Sequence, residues 1–208
     1  MLLNTNPIFY AALTSSKTAD YAWDGNTGYS YAGSGSFSGN ELLISQAATA
    51  RLVWNCLIPQ DKNLTFSCYI TRTTASVYEY SFGAFNTAQP KYSCLCPSFA
   101  ENYGLTAEWI ANIVTSTYLA ALNTKHFYTF SVIFNSANNF TFKLYVDGSL
   151  IYSNTVTNNN WLKFVSCYFS VGRNSDNNLI GKVSQCSCYE LLSDAQVLQL
   201  YNNGGVPL

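Results

Sequence analysis

Hydrophobic and polar residues alternate with a period of two along most of this chain, in short runs rich in Val, Ile, Phe, Tyr and Thr. Such alternation places one face of a β-strand against a core and leaves the other face polar. Clusters of Asn, Asp, Ser and Gly, which favour turns, separate the runs. The pattern predicts about a dozen strands, at Ile8–Leu13, Leu42–Ser45, Arg51–Leu57, Leu64–Thr71, Val77–Phe82, Tyr92–Leu95, Ile113–Ala120, Phe127–Phe134, Phe140–Val146, Leu150–Asn154, Trp161–Val171 and Lys182–Leu191.

The clearest supersecondary unit is a hairpin over Phe140–Tyr152. Two β-rich runs flank Asp147-Gly148, and Asp-Gly between such runs is a strong signal for a two-residue turn. Period-two alternation also predicts which side chains point into a core between two sheets. These are Phe130, Val132, Phe142, Leu144, Val146, Phe169, Val171 and Val183.

One helix is predicted, over Asp194–Asn202. Ser193 and Gln196 form a capping box at its start, and Gly204 follows its end. Val197, Leu200 and Tyr201 provide an apolar stripe at helical spacing. The sequence has no internal repeat and no charged or proline-rich linker. We therefore expect an all-β fold in one domain over residues 1–208, a two-sheet antiparallel sandwich with a short C-terminal helix.

Five ordered motifs in the last third of the chain resemble the laminin-G-like jelly rolls of the concanavalin A-like lectin/glucanase superfamily. They are Leu144-Tyr145-Val146-Asp147-Gly148, Phe169-Ser170-Val171-Gly172-Arg173, Ile180-Gly181-Lys182-Val183, Leu192-Ser193-Asp194-Ala195-Gln196 and Leu200-Tyr201-Asn202-Asn203-Gly204. The resemblance implies a concanavalin A-like jelly roll. The motifs mark turns, strands and a helix start, so they imply a fold and leave the ligand open.

Charge excludes some partners. Charged residues make up 10% of the chain and the net charge is -1, so there is no basic excess to neutralise phosphates and nucleic acid is not an expected partner. No apolar run approaches the roughly 20 residues that span a bilayer, so we expect no membrane insertion. The start, Met1–Pro7, has no basic region followed by an apolar one, and we expect no classical signal peptide.

Catalysis is disfavoured by the placement of the acids and of His126. Glycosidases use two carboxylates facing each other across the scissile bond, but the eleven acidic residues are scattered along the chain. A nucleophilic triad needs a base, and His126 is the single histidine. A lone histidine beside aromatic residues at the start of a strand is more often structural. We expect no enzymatic activity.

Binding residues are expected in two loops. Tyr21–Asn40 mixes Gly and Ser with aromatic residues and predicts a long ordered surface loop, and Asn174–Asn178 is a polar turn. We expect both on the same side of the domain. Aromatic and amide side chains suit the apolar faces and hydroxyls of a sugar, and equally suit adaptable protein-binding loops. The candidate ligand-binding residues are Tyr21, Trp23, Tyr29, Tyr31, Trp161, Asn174 and Asn178.

A calcium site is a second possibility in the same loops. Ca²⁺ takes about six to eight oxygen ligands from carboxylates, amides and carbonyls. Asp24 and Asp176 lie in oxygen-rich segments and are the candidate calcium ligands. The same segments are equally well explained as turns that use Asn and Asp at positive φ. No other cofactor is indicated.

Seven cysteines leave at least one without an intramolecular partner. Cys186 and Cys188 are two residues apart, which on a strand places both on one face. Most cysteines are expected to be buried free thiols in a reducing compartment. A structural disulfide such as Cys56–Cys68 is the alternative.

These observations favour a non-catalytic recognition module that binds a glycan or a cell-surface receptor. Low charge, abundant Asn and Tyr and the absence of a signal peptide suggest a virion or phage surface protein, such as a fibre head or capsid decoration, in contact with other virion proteins. An extracellular location without a classical signal peptide is the related expectation. The alternative is a structural capsid or filament subunit that uses the jelly roll only for protein–protein packing.

Overall fold

The computed structural model describes residues 6–32, 35–44, 51–59, 62–73, 79–80, 82–86, 94–100, 104–109, 112–115, 121–136, 139–157, 167–171 and 180–207. These ranges contain seventeen β-strands and one α-helix, α1 Asp194–Asn202. The strands are β1 Phe9–Ala11, β2 Tyr21–Ala22, β3 Tyr29–Ala32, β4 Gly35–Phe37, β5 Leu42–Ile44, β6 Arg51–Ile58, β7 Leu64–Arg72, β8 Glu79–Tyr80, β9 Phe82–Asn86, β10 Cys94–Ala100, β11 Gly104–Trp109, β12 Asn112–Thr115, β13 Lys125–Ser136, β14 Asn139–Val146, β15 Ser149–Thr157, β16 Cys167–Val171 and β17 Gly181–Glu190.

The strands form two sheets. The nine-stranded sheet has the order β15-β14-β13-β7-β17-β1-β2, with β5 on β17 and β4 on β5. The eight-stranded sheet has the order β12-β11-β10-β9-β16-β6-β3, with β8 on β10. All pairings among the described strands are antiparallel. The predicted all-β sandwich with one short helix is confirmed.

The core lies between the two sheets and joins side chains from both. Trp54 and Leu52 of β6 pack in one buried cluster with Phe9 of β1 and Phe66 of β7. Six of the residues predicted to point inward are buried in this cluster: Phe130, Val132, Phe142, Leu144, Val146 and Val183. The other two, Phe169 and Val171, lie in β16, whose side chains are outside the described ones.

The predicted hairpin turn joins β14 to β15. Asp147 has φ 50° and Gly148 has φ 77°, the two positive values that a type I′ turn needs. The Asp147 carboxylate accepts a hydrogen bond from the Phe127 backbone N–H at 2.8 Å and pairs with His126 Nδ1 at 2.7 Å. The lone histidine therefore ties the start of β13 to this turn.

Helix α1 has the predicted bounds and packs on the outer face of the nine-stranded sheet. Ser193 and Gln196 form the predicted capping box. Val197 and Leu200 are buried against Phe127, Tyr145, Tyr189 and Leu192, with Tyr201 partly buried beside them, in a second cluster separate from the main core. Among the described residues, no helix has the length and apolarity that crossing a membrane requires.

The segment Tyr21–Asn40 differs from the predicted long loop. It holds β2, β3 and β4, which pair with β1, β6 and β5 respectively. The short alternation Tyr29-Ser30-Tyr31-Ala32 carries the strand signal, but the many Gly and Ser residues around it favoured a loop. Tertiary pairing with β6 supplies what local propensity lacks.

Cys56, Cys68, Cys186 and Cys188 are buried free thiols, as predicted. Cys186 and Cys188 both face the main core, so the prediction that they share one strand face is confirmed. Burial raises the pKa of both thiols well above the ordinary value. Cys68 Sγ lies 3.0 Å from Cys186 Sγ, on neighbouring strands. The side chains of the other three cysteines are outside the described ones.

Candidate functional site

A groove of about 640 Å³ opens where the edges of the two sheets meet. On one side, β2 ends the nine-stranded sheet beside β1, and on the other β6 lies next to the edge strand β3. Tyr21, Trp23 and Leu57 line the groove and are all exposed. The remaining lining residues are Asn6, Pro7, Ile8, Pro59, Lys62 and Glu190.

Trp23 is exposed and yet fixed in position. Its side chain is 52% exposed, while the indole Nε1–H donates to the Leu57 carbonyl at 2.7 Å and its backbone N–H donates to the Ile8 carbonyl at 2.9 Å. It lies in a turn in which Gly25 N–H donates to the Ala22 carbonyl at 3.0 Å, and Gly25 takes the φ of 76° that favours glycine. The indole is therefore anchored at its nitrogen and presents ring surface to solvent.

Asp24 reinforces the same anchor. Its Oδ2 accepts hydrogen bonds from the Leu57 backbone N–H at 3.0 Å and from Asn26 Nδ2 at 3.1 Å, and its Oδ1 accepts from the Asn26 backbone N–H at 3.0 Å. Partial burial opposes ionisation, but the hydrogen bonds from Leu57 and Asn26 outweigh it and lower the pKa of Asp24. Together, Trp23 and Asp24 bind both backbone groups of Leu57 and so link the edges of the two sheets.

An ion pair belongs to the same groove lining. Lys62 Nζ lies 2.5 Å from Glu190 Oε1, and the two side chains are 46% and 64% exposed. Glu190 is the last residue of β17 and pairs in register with Leu64 of β7. The Leu191 N–H also donates to the Asn63 carbonyl at 3.0 Å. The sheet thus fixes the backbone beneath both charged side chains.

The structure brings only part of the predicted site together. Tyr21 and Trp23 line the groove. Tyr29 is exposed on β3 but is not among the groove-lining residues, and Tyr31 is on the same strand with its side chain outside the described ones. Trp161, Asn174, Asp176 and Asn178 lie outside the described residues, so their position relative to the groove stays a prediction.

Hydrogen bonds to the Asp24 carboxylate compete with the calcium ion predicted there. Both carboxylate oxygens already accept N–H donors from Leu57 and Asn26, and an ion would have to displace some of them. Across the residues that the structure describes, no group of three His, Cys, Asp or Glu side chains is arranged to hold a metal. The residues around Asp24 therefore fit a structural link to Leu57 better than they fit a calcium site.

The ionisable groups in and near the groove bear on its chemistry. Among its described lining residues Glu190 is the one carboxylate, and it is paired with Lys62, whereas glycosidases generally use two carboxyl groups. The nearby Cys56 thiol is no ready nucleophile, since burial first and the charge of Asp24 second raise its pKa to about 12. His126 is bound to Asp147 and is not a lining residue.

Sequence reasoning missed the other half of this groove. No local signal marks a binding site at Leu57, Pro59, Lys62 and Glu190, because each lies at or near the end of a strand and has ordinary polar or apolar chemistry. Their proximity to Trp23 depends on strand order and on the turn after β2, which pairs Trp23 with Leu57 across 34 residues of chain. Only the exposed aromatic pair was detectable from composition.

No protein-family model matches the sequence, and no curated protein matches it. Solved structures share its architecture. One is domain 4 of AbnA, a GH43 extracellular arabinanase from Geobacillus stearothermophilus, in complex with arabinotriose. It has 13% identity and a TM-score of 0.70 over 95% of this chain and 98% of that one.

Two further similar structures are larger proteins. A Trypanosoma rangeli sialidase in complex with sialic acid matches with 12% identity and a TM-score of 0.69, over 93% of this chain and 32% of the sialidase. The botulinum neurotoxin type G receptor binding domain matches with 9% identity and a TM-score of 0.67, over 96% of this chain and 52% of that domain. At these identities the likeness establishes the β-sandwich fold alone.

Proposed function

We propose that residues 1–208 act as one non-catalytic recognition domain whose groove beside Trp23 binds a glycan. The observation that carries this proposal is the anchored and exposed indole of Trp23, held by the Leu57 carbonyl at 2.7 Å. A large aromatic side chain left half in water costs hydrophobic free energy unless a ligand covers it. Tyr21 adds a second exposed ring to the same groove.

The chemistry around the rings supports a sugar ligand. Pro7, Ile8 and Pro59 give the groove an apolar lining, suited to the C–H faces of a pyranose or furanose ring, while Asn6, Lys62 and Glu190 offer hydrogen-bonding groups for hydroxyls. Two of the similar structures were solved with a saccharide, arabinotriose and sialic acid. The similar neurotoxin domain binds a receptor, so a glycan carried by a cell-surface receptor is the second form of the same ligand.

The biological setting that we propose rests on composition and on the sequence motifs. A laminin-G-like jelly roll with a net charge of -1 and 16 tyrosines suits a virion or phage surface protein, or an extracellular protein. In that setting other virion proteins are the structural partners and the glycan is the external one. The proposed contacts with the glycan involve no calcium ion.

The proposal is tested by titrating the protein with neutral and acidic oligosaccharides and measuring binding by calorimetry or NMR. Trp23→Ala should weaken binding at least tenfold, about 1.4 kcal/mol, while leaving the fold intact. Tyr29→Ala is the matched control, since Tyr29 is 43% exposed but does not line the groove. An equal loss of affinity in both variants, or no loss of affinity in Trp23→Ala, would show that the groove is not the binding site.

One observation favours the alternative of an assembly subunit. Among the described strands, β15, Ser149–Thr157, is the last in the nine-stranded sheet, and it contains neither a charged residue nor proline. Charged residues and proline are common protections of an edge against pairing with another chain. One backbone donor of β15, the Thr155 N–H, donates to Asn154 Oδ1 at 2.8 Å. Two copies joined along β15 would make a continuous sheet.

The assembly alternative has its own test in the oligomeric state. Analytical ultracentrifugation should detect a concentration-dependent dimer if β15 pairs with β15 of a second copy, and Thr155→Lys should abolish it. A stable monomer at micromolar concentration in the unaltered protein would exclude this role for β15. Neither outcome depends on Trp23, so the two candidate functions are separable.

A further inference from the structure

The Lys62–Glu190 ion pair in the groove bears on which sugars can bind there. Lys62 and Glu190 place an ammonium donor and a carboxylate acceptor next to each other, 2.5 Å apart, in the groove that Trp23 lines. Exposed ion pairs of this kind contribute little to stability. Because the ion pair adds little stability, its location in the groove is better explained by ligand binding than by folding.

A vicinal diol matches this pair of groups. Each hydroxyl of a sugar both donates and accepts a hydrogen bond, so one hydroxyl can accept from Lys62 Nζ while its neighbour donates to a Glu190 oxygen. Charge-assisted hydrogen bonds of this type are stronger than those between neutral groups. Since the ion pair itself is weak, sharing it with two hydroxyls costs little.

The charge balance of the groove disfavours acidic sugars. Of the described lining residues, Lys62 is the one cation and Glu190 the one anion. A sugar carboxylate attracted to Lys62 would lie against Glu190, and like charges in contact are unfavourable unless one is neutralised. A ligand without charge keeps both partners satisfied.

We propose, resting on the glycan-binding function above, that the groove is specific for neutral oligosaccharides. In this arrangement a sugar ring packs on Trp23 and Tyr21, and Lys62 and Glu190 bind two adjacent hydroxyls. Glu190 is the specificity-determining residue, because it accepts from one hydroxyl and repels carboxylated sugars such as sialic and uronic acids.

The experiment compares wild type with Glu190→Gln on two classes of probe. The neutral probes are arabinotriose, lactose and maltotriose, and the acidic probes are sialyllactose and a galacturonic acid trimer. Wild type should bind at least one neutral probe, and it should bind no acidic probe more tightly than that neutral one. Glu190→Gln should weaken binding of the neutral probe about fivefold and strengthen binding of an acidic probe, because the Glu190 carboxylate then no longer repels the sugar carboxylate.

Asp194→Asn is the matched control for net charge. Asp194 forms a comparable exposed ion pair with Lys143, 2.7 Å apart and 55% exposed on the acidic side, and it is not a groove-lining residue. It should leave both probe classes unchanged. An equal shift in Asp194→Asn and Glu190→Gln would reduce the effect to overall charge and overturn the proposed role of Glu190.

The outcomes separate this inference from the function on which it rests. If Trp23→Ala abolishes binding but Glu190→Gln changes neither probe class, the groove binds glycan and the Lys62–Glu190 pair does not select it. If wild type binds an acidic probe more tightly than every neutral one, the proposed selectivity is wrong. If no probe binds wild type at millimolar concentration, the glycan-binding function fails as well.

Discussion

Two aromatic regions of this protein use the same residue types in opposite ways. On the outer face of the nine-stranded sheet, Phe127, Tyr145 and Tyr189 are buried under helix α1 by Val197 and Leu200. At the groove, Tyr21 and Trp23 are exposed. In the first region, apolar contact with the helix holds the rings in place. In the second, Trp23 is held by the hydrogen bonds that it donates to the Leu57 and Ile8 carbonyls, while its ring stays open to water.

The contrast indicates what each region is for. Burial of aromatic surface contributes to stability, since apolar area is removed from water. An exposed ring contributes little of this, and anchoring it with the link from Trp23 and Asp24 to Leu57 keeps it ready for a ligand. The helix-covered face therefore contributes stability, whereas the groove has the exposed surface that the proposed recognition requires.

The largest expected effect is on the covered face. Leu200→Ala removes a buried side chain from beneath the helix and should lower the free energy of unfolding by about 2–5 kcal/mol, measured by urea denaturation. Leu198→Ala, on the same helix but 46% exposed, is the matched control and should change stability by less than about 0.5 kcal/mol. Similar losses in both would show that the helix does not cover a core.

The next effect is on the link beneath the groove. Asp24→Asn removes a carboxylate that accepts three N–H hydrogen bonds and should cost about 1–2 kcal/mol at neutral pH. Because the folded protein lowers the pKa of Asp24, the advantage of wild type is complete above the ordinary carboxyl pKa of about 3.9. It declines as the pH falls through the lower folded value. A difference that is the same at pH 7 and pH 2 would contradict this link.

A smaller effect is expected at the helix start. Ser193→Ala removes the side-chain oxygen that accepts from the Gln196 N–H at 3.3 Å and should cost about 1 kcal/mol. Glycan affinity should be unchanged while the protein is folded, because the cap belongs to the covered face. Loss of binding in folded Ser193→Ala would mean that the two regions are coupled.

The smallest expected change in stability comes from Trp23→Phe. The variant keeps an exposed ring but loses the N–H that binds the Leu57 carbonyl, at a cost of roughly 0.5 kcal/mol for one exposed hydrogen bond. Its glycan affinity should lie between those of wild type and Trp23→Ala. An affinity equal to that of wild type would show that anchoring the ring is unimportant.

The sequence was most informative where local chemistry decides the structure. The hairpin at Asp147-Gly148 and the helix capped by Ser193 and Gln196 follow from short motifs, and both have the predicted form. The strands at Tyr21–Ala22 and Tyr29–Ala32 were missed because pairing with β1 and β6 stabilises short Gly- and Ser-flanked runs.

The candidate site was predictable only in its aromatic half. Exposed Trp23 followed from its Gly-rich surroundings, but its contact with Leu57 depends on how the two sheet edges meet. Lys62 and Glu190 are 128 residues apart, and no spacing rule brings such residues together. Their pairing follows from the register of β7 on β17.

The most direct test of the central claim follows the indole N–H signals by NMR during titration with a neutral trisaccharide such as arabinotriose. Trp23→Phe assigns the Trp23 signal, and the fully buried Trp54 serves as an internal reference. We expect the Trp23 signal to shift in a saturable manner while the Trp54 signal stays in place. Binding that leaves the Trp23 signal unmoved, or no binding by any oligosaccharide in the panel, would contradict a glycan site at this groove.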